Sequence, residues 1–246
     1  MSQAPPSALR QLVVNGLRLL ARVERGCKQS VKRWAGWPAP EADPVDLPMT
    51  LYGDRAVEYG LLFQHLGSGP GRLLDVGGGP TSLVATIAAG LGWEVTSIDL
   101  MPSPIAFTGV RFVRADFTRW DNAAETFDRI VFVSSLEHFG LAGRYTSREG
   151  DAMDREAFVR ATGILAPGGK ILLTVPFGEA AVIRPLHRVY DRPRLDRLVS
   201  PFKPDIAQFY RKGDDGIWCA CQEAEAACVR PTESFYALAF LMLARD

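Results

Sequence analysis

Residues 72–89, RLLDVGGGPTSLVATIAA, decide how this chain is read. Leu73 to Val76 is a short apolar run that leads straight into three consecutive glycines. Pro80 and Thr81 then open an amphipathic helix carrying Leu83, Val84, Ile87 and Ala88. Strand, glycine turn and helix form the first half of a βα unit, the commonest nucleotide cradle of α/β proteins. Glycine is needed where the backbone turns sharply and approaches a ligand, because a Cβ there would collide. Asp75 stands two residues before Gly77 and completes the pattern Asp-x-Gly-x-Gly with Gly79. A dinucleotide-binding turn carries an apolar residue in place of Asp75 and a third glycine in place of Ser82. A second strand, Trp93 to Ile98, ends on Asp99, about 20 residues past the glycines, from where an acid can grip a ribose diol.

With these residues the chain resembles the class I S-adenosylmethionine-dependent methyltransferases, and the following segments extend the likeness. A strand over Val110 to Arg114 runs to Asp116-Phe117, and Phe127 to Val133 forms a fourth strand leading into Ser134-Ser135-Leu136-Glu137-His138. A helix over Ala152 to Leu165, capped by Asp151, ends at Ala166-Pro167-Gly168-Gly169 before a fifth strand, Lys170 to Val175, that stops at Pro176. Arg192 to Val199 reads as a short helix, and 207–210, 216–221 and 235–243 supply strand material. The resemblance spans roughly residues 50–246. It implies an α/β fold with a Rossmann-like, mostly parallel sheet, helices on both faces and a closing antiparallel hairpin. That hairpin would pair the last strand segment with one of the two before it.

The resemblance also implies S-adenosyl-L-methionine as cofactor. Gly77 and Gly79 would admit its amino-acid part, Asp75 would help to hold the ammonium, and Asp99 would take the ribose hydroxyls. Asp116 would accept from the adenine amino group, Phe117 would lie against the ring, and Ser134 would close the cofactor side of the fourth strand. Some ubiquinone-pathway relatives carry a Glu-x-x-Glu-His run tied to metal binding; here Ser134 replaces the first Glu, and no metal is expected. Methyl transfer is an in-line displacement in which the protein aligns the partners, excludes water and removes a proton from a hydroxyl acceptor. His138 is the candidate base, because a histidine titrates near neutrality, with Glu137 orienting it or touching substrate. Capping or loop support is the alternative role for His138. The polar stretch 139–151 suits a lid, with Arg144 and Tyr145 as acceptor contacts. His187, in a cluster with Arg184, Arg188 and Tyr190, suits an anionic or hydroxylated acceptor. Ser-Ser-Leu-Glu-His-Phe-Gly with the later Val-Pro-Phe-Gly is similar to bacterial enzymes of surface-glycan and secondary-product pathways, implying O-methylation of a small molecule or carbohydrate.

Upstream of the first strand, 55–66 reads as a helix with Val57, Leu61, Leu62 and Leu66 inward, and Tyr52 and Arg55 turned to the cleft or to the surface. His65 is read as structural. Residues 7–36 carry apolar residues on one helical face and seven arginines and lysines on the other. Such a helix docks on an anionic membrane, on a partner, or on its own domain, and its Arg-rich pattern also fits a presequence. It contains no apolar run approaching the about 18 residues of a membrane span. A Pro-rich connector, 37–48, separates it from the domain expected over 49–246.

Composition agrees with one α/β domain plus an appendage. Acidic and basic residues number 28 each, which argues against a general nucleic-acid binder. The four cysteines, with no export signal, suit reduced thiols in the cytoplasm. Cys219, Cys221 and Cys228 offer three metal-ligand types without a matching fourth, and alternation along a strand explains the first pair equally well. Two other readings share the cradle: a nicotinamide-dependent oxidoreductase, and a degenerate methyltransferase domain serving as scaffold.

Overall fold

The computed structural model describes residues 53–245 except 81, 102, 105, 122–123, 144–147 and 214–215. The chain divides into two compact units, Met1–Met49 and Thr50–Asp246, and every described element belongs to the second. The basic stretch 7–36, the Pro-rich connector, Tyr52, Arg144 and Tyr145 lie outside the described residues.

A helix α1 (Asp54–Leu66) precedes strand β1 (Arg72–Val76), helix α2 (Leu83–Gly90) and strands β2 (Glu94–Asp99), β3 (Val110–Arg114) and β4 (Phe127–Val133). Helix α3 (Met153–Gly163), strand β5 (Leu165–Phe177), hairpin β6 (Ala181–Ile183) and β7 (His187–Val189), and helix α4 (Arg192–Val199) follow. Strands β8 (Pro204–Lys212) and β9 (Trp218–Cys221), helix α5 (Glu223–Ala227) and strand β10 (Ala237–Ala244) complete the chain. The main sheet runs β3-β2-β1-β4-β5-β10-β8-β9. Strands β1 to β5 are parallel, and β10 lies antiparallel between β5 and β8. The sheet is therefore the mostly parallel one the resemblance implies.

The alternation of strands places the core on both faces, as a parallel sheet covered by helices requires. Leu74, Val76, Ile130, Phe132, Ile171 and Leu173 pack on one face with Phe158 of α3 and Leu195 and Leu198 of α4. Leu73, Val131, Val133 and Leu172 pack on the other with Leu61, Leu62 and Leu66 of α1 and Val84, Ala85 and Ala88 of α2. Strand order reverses between β1 and β4, and ligands of open α/β sheets bind at such a switch point, beyond the carboxyl ends of the strands.

Several boundaries differ from the sequence reading. Ser82, rather than Pro80 and Thr81, starts α2, because its hydroxyl accepts from the Ala85 amide at 2.9 Å. Only part of that helix's apolar face is covered: Leu83 stays 48% and Ile87 37% exposed. Asp151 does not cap α3; the helix starts after Ala152 without a side-chain cap. Strand β5 is longer than expected, because the Gly168 amide donates to Arg245 O at 3.1 Å and the Arg245 amide to Gly169 O at 3.0 Å. It also continues past Pro176, whose carbonyl accepts from the Tyr190 amide at 3.0 Å. The β6–β7 hairpin and α5 were not anticipated. Cys219 is exposed on β9, and the described residues contain no group of side chains arranged to hold a metal.

Candidate active site

The glycine turn after β1 is held by its own amides. Gly77 adopts φ +76° and donates to Ile98 O at 2.8 Å. A Cβ on it would lie 2.6 Å from the Cβ of Ser135, so the turn can sit against the β4 end only as glycine. Gly79 donates to Asp99 Oδ2 at 2.9 Å, and Asp99 Oδ1 accepts from the Met101 amide at 2.8 Å. Asp99 thus braces the turn and the loop after β2 at once.

These groups line a cavity of about 300 Å³ that opens at the switch point. Its floor is Val76, the three glycines and Ile98; its far end carries Asp99, Asp116 and Phe117; its near end carries Arg55, Ser134, Ser135 and His138. Asp116 Oδ1 accepts from the Thr118 amide and hydroxyl at 2.9 and 2.7 Å, and Oδ2 accepts from Arg148 at 2.6 Å. Partial burial opposes ionisation of Asp116, but the bonds from Thr118 and Arg148 outweigh it and hold the carboxyl below its ordinary range. Phe117 is buried edge-on against Phe132, with ring centroids 6.0 Å apart.

Asp75 does not line this cavity. It is 1% exposed and accepts from the hydroxyls of Ser82 and Ser97, the latter at 3.0 Å. Burial lifts its acidity constant to about 6, against the pull of the two hydroxyls. Its placement is that of a brace linking β1, β2 and the start of α2.

At the near end, Ser134 takes φ +43°, unusual for a side-chain-bearing residue. Its hydroxyl donates to Glu58 of α1, which also accepts from Thr174 at 2.7 Å and from Arg55 at 2.9 Å. Arg55 donates further to Val133 O at 3.0 Å. Glu58 is wholly buried, and burial raises its acidity constant against the opposing pull of Arg55. Sequence reasoning missed Glu58 because an acid was not sought on an apolar face, although its spacing to Leu61 and Leu62 puts it there.

His138 lies on the 3-10 turn Leu136–His138 and keeps about a fifth of its side chain exposed (21%). Its Nδ1 lies 2.6 Å from Leu186 O. A carbonyl only accepts, so Nδ1 carries the proton and Nε2 of the neutral ring holds a lone pair. The neighbouring Glu137 is 2% exposed, with Oε1 3.7 Å from His138 Nε2, and does not line the cavity. Burial pushes its acidity constant up to about 8.

His187 is buried on β7, away from the cavity lining, edge-on to Tyr236 at 5.1 Å. Its sequence neighbours tie the scaffold. Arg188 reaches the carbonyls of Phe139 and Gly150, the latter at 3.1 Å, and Tyr190 donates to Asp154 at 2.8 Å. Arg184 pairs with Glu149 at 2.5 Å.

A family described as "Caenorhabditis protein of unknown function, DUF268" matches residues 110–227. No curated protein matches the chain. Solved structures do. The 1,6-didemethyltoxoflavin-N1-methyltransferase of Burkholderia thailandensis, with 1,6-didemethyltoxoflavin and S-adenosylhomocysteine bound, is 19% identical, with a TM-score of 0.55 over 100% of this chain and 93% of its own. The N-methyltransferase NodS of Bradyrhizobium japonicum, with S-adenosylhomocysteine, is 17% identical, with a TM-score of 0.55 over 83% and 94%. The glycopeptide N-methyltransferase MtfA, with S-adenosylmethionine, is 16% identical, with a TM-score of 0.51 over 82% and 100%. The fold is that of the class I S-adenosylmethionine-dependent methyltransferases.

Proposed function

We propose that the chain transfers a methyl group from S-adenosyl-L-methionine to a hydroxyl of a small-molecule or carbohydrate acceptor. The observation that carries this reading is the cavity at the β1/β4 switch point, where a glycine turn that admits no Cβ at Gly77 faces Asp99, Asp116 and Phe117. An oxidoreductase cradle would carry an apolar residue at Asp75 and a glycine at Ser82. The residues present suit the cofactor: Gly77 and Gly79 leave room for its amino-acid part, Asp99 stands ready for the ribose, and Asp116 with Phe117 for the adenine. Bound there, S-adenosylmethionine supplies an activated methyl on a positive sulfur. The chain's own residues then orient the acceptor, keep water out and take a proton.

His138 is the group for that last task. Its lone pair sits on Nε2 because Leu186 O holds the proton on Nδ1, and the ring borders the cavity. A second reading, transfer to an amine nitrogen, is favoured by the three neighbours named above, all N-methyltransferases. It uses the same base, since only a neutral amine attacks.

Isothermal titration of S-adenosylmethionine and S-adenosylhomocysteine into wild type and Asp99→Ala tests the cofactor. Binding by the wild type that the substitution weakens at least about tenfold, the loss of one or two charge-assisted bonds, supports the reading. Failure of the folded wild type to bind either ligand sinks it. With an acceptor in hand, His138→Ala is expected to lower kcat by about 10²–10⁴ while cofactor affinity is unchanged.

A further inference from the structure

Beside the cavity, behind His138, lies a buried acidic recess that the methyl-transfer reading leaves unused. Among the described residues, Oε2 of Glu137 has no hydrogen-bond partner although the side chain is 2% exposed. Asp54 and Glu58 of α1 lie within electrostatic range of it, as do Tyr190 and Tyr236. Asp54 Oδ2 accepts from the Tyr236 hydroxyl at 2.8 Å, and the Tyr236 ring packs on His187.

The nearby cations do not answer this charge. Arg55 spends its guanidinium on Glu58 and Val133 O. Arg188 lies 3.5 Å from the backbone carbonyl of Glu137, and its other donors go to Phe139 O and Gly150 O. Lys212 sits over the rings of Trp218 and Tyr236 at 5.1 and 5.9 Å, with Nζ donating to Ser234 O. Carboxyl groups beside an aromatic face, with no cation directed at Glu137, form the recognition chemistry of an ammonium ion. An anionic acceptor would be repelled there, and a plain hydroxyl would gain no charge-assisted bond.

We propose that this recess anchors the acceptor, and that the acceptor is an amino alcohol or amino sugar whose ammonium docks on Glu137 and Asp54 beside Tyr236. The assignment rests on the methyl-transfer reading above and names its substrate class. Glu137 Oε1 lies 3.7 Å from His138 Nε2. An amine and a hydroxyl on adjacent carbons match that separation, the amine held by Glu137 and the hydroxyl presented to His138. The protons balance as follows: the empty recess keeps Glu137 protonated, the arriving ammonium replaces that proton with an ion pair, and the displaced proton goes to solvent.

The probes are trans-2-aminocyclohexanol and trans-1,2-cyclohexanediol, titrated calorimetrically into the full chain saturated with S-adenosylhomocysteine. The amino alcohol is expected to bind about tenfold or more tighter than the diol, the span of one charge-assisted bond. Glu137→Gln should bring the two probes level with S-adenosylhomocysteine affinity unchanged, and Asp54→Asn should weaken the amino alcohol alone. A measurement on wild type needs no variant: at pH 7 the binding heat should differ between phosphate and Tris buffers, reporting proton release. Equal affinity for the two probes, no binding of the amino alcohol, or undiminished binding by folded Glu137→Gln overturns the proposal while the methyl-transfer reading stands. Failure of S-adenosylhomocysteine itself to bind removes both.

Discussion

Glu137 holds its proton more tightly in the folded chain than in the unfolded one. Burial moves its acidity constant from the ordinary 4.5 to about 8. A raised constant contributes stability that is complete below the unfolded value and is lost as pH rises through the folded one. Wild type should therefore lose stability relative to Glu137→Gln between about pH 4.5 and 8, read as the difference in urea midpoints across that window. A constant difference would mean that the carboxyl is solvated in the folded chain. The glycines separate two physical causes. Gly77→Ala meets Ser135 at 2.6 Å as well as a positive φ, whereas Gly79→Ala meets open space and only the φ of +74°. Gly79→Ala should cost about 1–2 kcal/mol in urea denaturation, and Gly77→Ala distinctly more, with loss of S-adenosylhomocysteine binding. The need for glycine was legible in the run Gly77-Gly78-Gly79. The difference between them was not, because it is set by Ser135, a residue on another strand.

At the scale of elements, α1 is fastened to the sheet through a polar group as well as through leucines. Glu58→Ala would leave the hydroxyls of Ser134 and Thr174 and the guanidinium of Arg55 without their shared acceptor. Breaking a buried charged pair costs about 3–5 kcal/mol. The loss should appear in urea denaturation, with accelerated amide exchange in α1. Helical spacing placed Leu61, Leu62 and Leu66 inward. It could equally have placed Glu58 there, but spacing does not say what a buried acid bonds to. The same limit applies to α3 and β5, whose boundaries were set by a missing cap at Asp151 and by the backbone of Arg245.

For the whole molecule, β10 is the strand on which the second half depends. It pairs with β5 along its full length and with β8 on its other edge, and Ala237 to Leu243 are buried. Leu241→Ala should cost about 2–5 kcal/mol, measured by chemical denaturation. A chain ended before Ala237 should lack cooperative unfolding, since β5 and β8 would each lose their partner. That the final strand joins an antiparallel hairpin was expected from the resemblance. The choice of β8 as its neighbour, with β9 added at the edge, was left open between two segments.

The sequence by itself determined the strand-glycine-helix unit, the positions of Asp99 and Asp116 at strand ends, and the apolar faces of the central strands. These are local: periodicity of two or 3.6 residues reports which face is buried, and a glycine run reports a turn. The tertiary structure alone decided how the polar groups are partnered. Asp75 turned inward to Ser82 and Ser97, Ser134 met Glu58 from 76 positions away, His138 was fixed by Leu186 O from 48, and Tyr236 reached Asp54 across 182. Such pairings depend on distance in space between elements far apart in the chain, and a hydrogen bond's short range makes them invisible until the sheet order is known.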